Sequence, residues 1–252
     1  MKKRLIEIQI EPGIHMHLPA ELERVFEDFE PLSVAKMKAS LREGQVVVDV
    51  GANFGYYSLL ASRAVGPSGQ VYAFEPSPAT LKILRLNTQR YDNVYIADKA
   101  VSDTCGQIRF FHTDDYVNSG TVANPPFKKS DEVEEIMVQA ISLDEYFPKN
   151  FEVDFLKIDI QGDDLRAIKG AKGLIQRSQK IKVLVEWAPT WMKNAGIQAD
   201  ELPKLLIEFG FDKLSVVDDY LKETYSVEKF LDIVKYDGSG RRFCNLLAER
   251  TR

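Results

Sequence analysis

Cysteine is scarce in this sequence, with two residues among 252. Cys105 and Cys244 lie far apart and form neither a CxxC pair nor another spacing typical of a metal site. Small secreted domains, by contrast, depend on disulfide frameworks built from many cysteines. We therefore expect two reduced thiols in a cytoplasmic protein.

Long hydrophobic runs are absent as well. No stretch of about 18 consecutive apolar residues occurs, which excludes an ordinary membrane-spanning helix. The basic residues 2–4 are followed by residues 5–10, in which isoleucine alternates with polar residues, so the apolar segment of a signal peptide is missing. The sequence therefore predicts a soluble, cytoplasmic protein without a membrane span.

An excess of positive charge is the third absence. Lysine and arginine total 33 against 38 acidic residues, which gives a net charge of −5. Nucleic-acid-binding proteins usually carry a positive field, so the balance disfavours a DNA or RNA partner. The apolar share of 44% and the charged share of 28% are ordinary for a globular protein and exclude a disordered or fibrous chain.

Short apolar runs alternate with helical segments along residues 46–252. The predicted strands lie at residues 46–50, 70–74, 94–97, 107–113, 133–141, 153–160, 182–187, 211–217 and 243–248. The predicted helices lie at residues 56–65, 78–90, 163–177 and 198–209. This alternation is typical of an α/β fold with a doubly wound, mostly parallel sheet, and we expect these residues to form the main domain.

Residues 1–45 show a different pattern and are predicted to be a small N-terminal extension. Alternation over residues 6–10 predicts a half-buried strand, and residues 14–18 return as a second one. Residues 20–41 indicate a helix that is broken near Pro31. We expect this strand and helix extension to act as a cap or as a substrate-binding side.

A turn that contains two glycines follows the first strand of the main domain. Gly51 and Gly55 allow the backbone to turn tightly and to approach a ligand closely. The helix predicted from Tyr56 directs its free N–H groups at the same place. The second strand ends at Glu75, where a carboxylate can accept hydrogen bonds from a ribose diol. The pattern therefore predicts a nucleoside site at the carboxyl ends of the first two strands.

The spacing of these glycines differs from the GxGxxG of dinucleotide-binding loops. Asn53 stands where the middle glycine would let a pyrophosphate approach the backbone. This disfavours NAD or FAD and leaves a nicotinamide oxidoreductase as the weaker alternative. A ligand with a ribose but no pyrophosphate fits better, and S-adenosylmethionine is the common one.

The order of these motifs resembles that of the FkbM-type methyltransferases. The residues that carry the resemblance are 48–58, 73–78, 99–103 with Gly106, 142–145, 154–164 and 169–171. Together they extend over about residues 46–190. The resemblance implies a Rossmann-like class I methyltransferase fold and S-adenosylmethionine as the methyl donor.

The resemblance also implies roles for individual residues. The set expected to contact the donor is Asp49, Gly51, Asn53, Gly55, Tyr56, Glu75, Pro76, Ser77, Lys99, Ala100 and Asp159. The first turn would wrap the methionine end, Glu75 would hold the ribose hydroxyls, and Lys99 and Ala100 would lie along the adenine. Family members often carry Glu where this chain has Asp164, so the reach of that shorter carboxylate is an open point.

Three residues are candidates for the chemistry that follows donor binding. Asp159 and Glu186 lie at the ends of two predicted buried strands, and we expect both to face one crevice. Either carboxylate can take the proton of an acceptor hydroxyl, and the two together can bind one Mg²⁺. His112, at the end of an extended segment, is a third candidate base.

The predicted function is an S-adenosylmethionine-dependent O-methyltransferase acting on a hydroxyl of a glycan or secondary metabolite. Two alternatives stay open. Asn124-Pro125-Pro126-Phe127 matches the NPPF signature of amino-group methyltransferases, although it follows a loop-like segment and not a buried strand. The other alternative is a non-catalytic module that only binds S-adenosylmethionine.

Overall fold

The computed structural model describes residues 4–113, 133–189, 192, 196–236 and 243–251. The strands are β1 (Leu5–Glu11), β2 (Ile14–Pro19), β3 (Val46–Val50), β4 (Gln70–Phe74), β5 (Val94–Ala97), β6 (Ala100–Val101), β7 (Gly106–Thr113), β8 (Val133–Ile141), β9 (Phe155–Ile158), β10 (Lys182–Trp187), β11 (Lys213–Asp218), β12 (Glu223–Tyr225) and β13 (Cys244–Glu249). The helices are α1 (Pro31–Ser40), α2 (Tyr56–Val65), α3 (Pro78–Thr88), α4 (Leu143–Tyr146), α5 (Asp164–Lys169), α6 (Lys172–Arg177), α7 (Glu201–Glu208) and α8 (Val227–Tyr236). A short 3₁₀ helix precedes α1 at Ala20–Val25.

The main sheet is formed by eight strands in the order β12-β11-β13-β10-β9-β3-β4-β5. Strands β5, β4, β3, β9 and β10 pair in parallel, while β13 runs antiparallel to both β10 and β11. Strand order reverses between β3 and β9, because the chain moves outward to β5 and then returns to the other side of β3. Ligands of open α/β sheets bind at such a reversal, at the carboxyl ends of the strands.

Two smaller sheets flank the main one. Strands β1 and β2 form an antiparallel hairpin, and β6, β8 and β7 form a three-stranded sheet. Within the latter, β8 is parallel to β6 and antiparallel to β7. This second sheet was predicted only as two extended segments, whose mutual pairing the sequence did not reveal.

The N-terminal segment packs on one face of the main sheet. Its buried side chains, among them Met16, Leu18 and Met37, share a hydrophobic cluster with Leu59 and Leu60 of α2. Apolar burial of this kind is the main driving force for docking the segment. Residues 4–45 are therefore attached to the main sheet and α2 by a common core.

Several predicted boundaries are corrected by the structure. The predicted helix 163–177 is two helices, α5 and α6, because the chain is interrupted at Gly170, where a Cβ would lie 2.0 Å from the carbonyl oxygen of Ser102. The predicted helix 20–41 begins as 3₁₀ helix and resumes at Pro31 as α1. The predicted strand 153–160 is shorter, at Phe155–Ile158. Helix α8 was not predicted.

Within the ranges that the structure describes, no helix is long and apolar enough to cross a bilayer.

Asp219 connects the N-terminal segment to the far end of the main sheet. Its Oδ1 accepts the backbone N–H groups of Leu32 and Ser33 at 2.7 and 3.1 Å, and its Oδ2 accepts the Ser33 hydroxyl at 2.5 Å. These three hydrogen bonds satisfy donors in the first turn of α1, which the helix itself leaves unpaired. The position of α1 over the sheet edge therefore depends on one carboxylate.

We expect Asp219→Ala to lower the free energy of unfolding by about 1–3 kcal/mol, because it leaves these donors without their acceptor. Chemical denaturation measures the change. Asp28→Ala is the matched control, since it removes only an ion pair with Lys222 in which both side chains are 62% exposed. An exposed pair contributes about 0–1 kcal/mol, so equal effects of the two substitutions would contradict the assignment.

Candidate active site

The predicted site residues meet at one edge of the main sheet. Asp49 lies in β3, Glu75 directly follows β4, Asp159 follows β9, and Glu186 lies near the end of β10. Strands β10, β9, β3 and β4 are adjacent in that order and parallel, so their carboxyl ends open into the same crevice.

The turn after β3 is held by a close backbone approach. Gly51 has a φ of +79°, and a Cβ on it would lie 1.9 Å from the carbonyl oxygen of Asp159. The N–H groups of Gly51 and Ala52 both donate to the carbonyl of Phe74, at 3.0 and 2.9 Å. The glycine is therefore required to bring the β3 turn against the tip of β9.

Gly55 and Asn53 complete the same turn in left-handed conformations. Gly55 has a φ of +95°, and a Cβ there would lie 2.9 Å from Leu84 Cδ1. Asn53 has a φ of +51°, a region that asparagine tolerates better than most residues. Helix α2 begins directly after this turn.

Glu75 joins the two turns that precede α2 and α3. Its Oε2 accepts the N–H of Asn53 at 3.0 Å, and its Oε1 accepts the N–H of Ser77 at 2.8 Å. Burial raises the pKa of Glu75 from 4.5 to about 7, and the two backbone hydrogen bonds oppose that rise. Each carboxylate oxygen has a further lone pair, so ribose hydroxyls can still be accepted.

Asp49 and Lys157 form the buried centre of the crevice. Ser58 donates to Asp49 Oδ2 at 2.6 Å, and the ammonium of Lys157 lies 3.9 Å from Asp49 Oδ1. Lys157 also lies 3.3 Å from Asp159 Oδ2. Burial by itself lowers the pKa of Lys157, but the carboxylates of Asp159, Asp49 and Glu30 outweigh it and raise that pKa. Lys157 is buried at this place.

Asp164 organises the turn after β9, where Gln161 and Gly162 have φ values of +59° and +105°. Its carboxylate accepts the N–H groups of Ile160 and Gly162, both at 3.0 Å. Burial, followed by the nearby charge of Asp159, raises the pKa of Asp164 to about 7. The carboxylate of Asp164 therefore stabilises the turn in which it lies.

The amide of Gln161 bridges the two proposed catalytic carboxylates. It donates to Asp159 Oδ1 at 3.0 Å and to Glu186 Oε1 at 3.4 Å. Glu186 Oε2 is buried and has no hydrogen-bond partner among the described residues. Burial first, and then the charges of Asp159 and Asp164, raise the pKa of Glu186 well above its usual range.

A magnesium ion is not supported by these contacts. Among the described residues, no group of three or more His, Cys, Asp or Glu side chains could hold a metal ion. The ammonium of Lys157 and the amide of Gln161 instead provide the donors to Asp159.

His112 lies in β7, and its side chain reaches the turn after β4. Its Nδ1 is 3.2 Å from the Ser77 hydroxyl, and that hydroxyl also accepts from the Thr80 side chain at 3.2 Å. Ser77 is the N-cap residue of α3. His112 is thus brought beside Ser77 and Glu75, on the side where the ribose is predicted.

The remaining predicted residues have diverse surroundings. Ala100 is buried in β6, and Lys99 is half-buried just before it. The ring of Tyr56 packs against Phe26 and Phe29, and its hydroxyl donates to the carbonyl of Phe29 at 3.3 Å. The ring of Tyr56 therefore has a structural contact with the N-terminal segment that the sequence did not predict.

Sequence reasoning missed two residues of this crevice, Glu30 and Tyr57. The Tyr57 hydroxyl donates to Glu30 Oε2 at 2.5 Å, and Lys157 Nζ lies 4.6 Å from the centre of the Tyr57 ring. Glu30 lies in a segment that was predicted to be helical, and nothing in the local pattern marked it. Only the packing of α1 against α2 brings the pair together.

A comparison with family models decides the assignment of the chain. The model of the methyltransferase FkbM domain matches residues 49–213, more than half of the chain. The chain belongs to the FkbM methyltransferase family. The family predicted from the sequence motifs is thereby confirmed.

Curated relatives are similar to parts of this chain. The 31-O-demethyl-FK506 methyltransferase FkbM of Streptomyces tacrolimicus is 43% identical over 82 residues, which are 32% of this chain and 31% of that protein. A protein-L-isoaspartate O-methyltransferase of Methanothrix thermoacetophila is 43% identical over 56 residues, 21% and 27% of the two chains. The methyltransferase sdnD of Sordaria araneosa is 24% identical over 206 residues, 69% and 76% of the two chains. The chain thus spans less than a third of the first two relatives.

Solved structures share the fold of this chain. The methyltransferase FkbM of Methylobacillus flagellatus has a TM-score of 0.50 and 13% identity, with 91% of this chain and 60% of that chain covered. A SAM-dependent O-methyltransferase of Thermotoga maritima has a TM-score of 0.51 and 15% identity, with 94% and 74% covered. At these identities the likeness establishes the fold alone, and the predicted Rossmann-like class I fold is confirmed.

The residues at the crevice fit S-adenosylmethionine. Asp49 Oδ1 is buried and accepts no hydrogen bond within the described ranges. Carboxylates in a poorly solvated crevice attract the positive charge of a sulfonium.

Gly51→Ala tests the close approach between the β3 turn and the β9 tip. The new Cβ would overlap the Asp159 carbonyl, so we expect a loss of about 3 kcal/mol or more in the free energy of unfolding. Gly196→Ala is the matched control, because Gly196 has a similar φ of +77° but nothing within 4 Å of the added Cβ. Gly196→Ala should lower the free energy of unfolding by only about 1–2 kcal/mol, which is the cost of a left-handed backbone for alanine. Equal losses in denaturant titrations would argue against the steric constraint.

Glu75→Gln tests the elevated pKa of that carboxyl. Because the folded pKa lies above the unfolded one, the folded state binds more protons between about pH 4.5 and pH 7, and stability is lost as pH rises through this window. Gln cannot titrate, so the variant should gain on the wild type by about 3 kcal/mol from pH 4.5 to pH 8. Unfolding measured across this range checks the shift. The exposed Glu208→Gln is the control. If the free energies of unfolding of the wild type and of Glu75→Gln changed with pH in parallel, the raised pKa of Glu75 would be refuted.

Proposed function

We propose that this protein is an O-methyltransferase that acts on a hydroxyl of a small molecule, a glycan or secondary metabolite. S-adenosylmethionine supplies an already activated methyl group. The group of buried carboxylates beside the glycine turn carries this proposal, since an attacking hydroxyl must lose its proton and a carboxylate can accept it. Asp49, Glu75 and Glu186 are buried, and burial strengthens electrostatic interactions among charged groups.

The donor would lie across the tips of β3 and β4. Backbone groups around Gly51, Asn53 and Gly55 would contact its methionine end. Glu75 would accept the ribose hydroxyls, with Pro76 and Ser77 beside it. This arrangement is supported by the way Glu75 fastens the two turns together through the N–H groups of Asn53 and Ser77.

Other parts of the donor and the acceptor would lie on either side of these turns. Lys99 and Ala100 would face the adenine, and Asp159 and Glu186 would line the space that receives the methyl group. Residues 1–45 would form the acceptor side, which agrees with the position of Glu30 next to Tyr57. The contact of His112 with Ser77 favours a place near the ribose over a role as base. A cytoplasmic location remains a prediction from the sequence.

The alternatives have less support. Residues 124–127, with the NPPF motif, lie outside the described residues, so the amino-group alternative rests on the motif alone. A net charge of −5 disfavours a nucleic-acid acceptor. A module that only binds the donor would have no use for a proton acceptor in the crevice.

The test is methyl transfer from isotopically labelled S-adenosylmethionine to a panel of hydroxylated sugars and polyketides, with matched amino and deoxy analogues, read by mass spectrometry. We expect methylation of hydroxyl compounds only. Glu75→Ala should lose donor affinity by about 10- to 100-fold in calorimetry, because a hydrogen bond to a charged group is removed. Donor binding without transfer to any hydroxyl, or transfer to amines alone, would refute the proposal.

A further inference from the structure

Glu30 is held in a strained and well-defined position. Its backbone is left-handed, with φ +47° and ψ +53°, directly before the first residue of α1. Such a conformation costs about 1–2 kcal/mol for a residue other than glycine. The strain persists because Asp219 fixes the following turn of α1 through Leu32 and Ser33.

The carboxylate of Glu30 reaches the crevice of the main domain. The Tyr57 hydroxyl donates to its Oε2, and the Tyr57 side chain is almost wholly buried two positions after Gly55. Lys157 lies over the same ring and pairs with Asp159. Oε1 of Glu30 accepts no hydrogen bond from the residues that the structure describes, so it is available to an incoming hydroxyl.

The other two candidate carboxylates, Asp159 and Glu186, have different surroundings. Both oxygens of Asp159 accept hydrogen bonds, one from Lys157 and one from Gln161. Glu186 has a pKa well above its usual range, because burial disfavours its charged form. Glu30 differs from Asp159 in having an oxygen that accepts no hydrogen bond within the described ranges. Glu186 also has such an oxygen, but Glu30 in addition accepts the Tyr57 hydroxyl, which favours its ionised form.

The charges that face Glu30 also suit a base. Burial, followed by the charge of Asp159, raises the pKa of Glu30 to about 7, whereas Lys157 and the hydrogen bond from Tyr57 oppose the rise. Asp219 adds a smaller increase. A general base is most effective when its pKa lies near the working pH.

We propose that Glu30 is the catalytic base of the methyl transfer and that Tyr57 is its positioning residue. This inference rests on the proposed hydroxyl acceptor. The acceptor's O–H proton moves to Glu30 Oε1, and the oxygen's electron pair forms the new bond to the methyl carbon. The pair of the broken carbon–sulfur bond returns to sulfur, which becomes a neutral thioether. Glu30 later releases the proton to water.

The proposal is tested with Glu30→Gln, Glu30→Asp, Tyr57→Phe and the exposed control Glu208→Gln, all assayed on a hydroxyl acceptor of the wild-type enzyme. We expect kcat of Glu30→Gln to fall by about 10²- to 10⁴-fold, while calorimetric donor affinity stays within threefold. Glu30→Asp should retain part of the activity. Glu208→Gln should match the wild type.

The pH dependence separates a base from a structural anchor. Wild-type kcat should rise with pH through about 7 as the carboxyl of Glu30 ionises. Tyr57→Phe should move this rise to higher pH, because it removes a hydrogen bond that lowers the pKa of Glu30. The small residual kcat of Glu30→Gln should not increase with pH through about 7.

A readout independent of turnover comes from stability. The thermal midpoint of Glu30→Gln relative to the wild type should increase between pH 5 and pH 8. The wild type loses stability as the Glu30 carboxyl, whose pKa is raised, ionises, and the variant lacks this contribution. A kcat of Glu30→Gln within threefold of the wild type would overturn the role of Glu30 and leave the hydroxyl function standing. A wild-type enzyme that methylates no hydroxyl would overturn both.

Discussion

The ammonium of Lys157 is buried beside the carboxylates of Asp49 and Asp159, and the geometry of the crevice depends on this cation. Removing one partner of a buried ion pair is costly, because the remaining charge has no water to solvate it. Lys157 therefore fixes the relative positions of β3 and β9, between which strand order reverses. The close contact of Gly51 with the Asp159 carbonyl requires the same alignment.

The crevice contains more acids than Lys157 can neutralise. Glu75, Asp164 and Glu30 each have a pKa raised to about 7, so a fraction of them is protonated near neutral pH. In the proposed binding mode, a cationic donor would stabilise their ionised forms. Transfer of the methyl group leaves a neutral thioether, which these carboxylates attract less strongly. The same electrostatics would thus favour binding of the donor and release of the product.

Much of the fold and the turns that line the crevice could be predicted, because their determinants are local in sequence. The turn from Gly51 to Gly55 and the acid at Glu75 directly follow apolar strands, and the structure has these strands as predicted. The contact between Glu30 and Tyr57 joins two segments through tertiary packing, so no local pattern reveals it. The break at Gly170 depends in the same way on a distant backbone group, the carbonyl of Ser102.

Strand β13 lies between β10 and β11, although it follows every other described strand in the chain. During synthesis on the ribosome, β10 and β11 emerge well before the strand that joins them. Until residues 244–249 arrive, each presents an open edge of unpaired backbone groups, the kind that pairs with foreign strands. The nascent chain therefore depends on a late insertion to become resistant to aggregation.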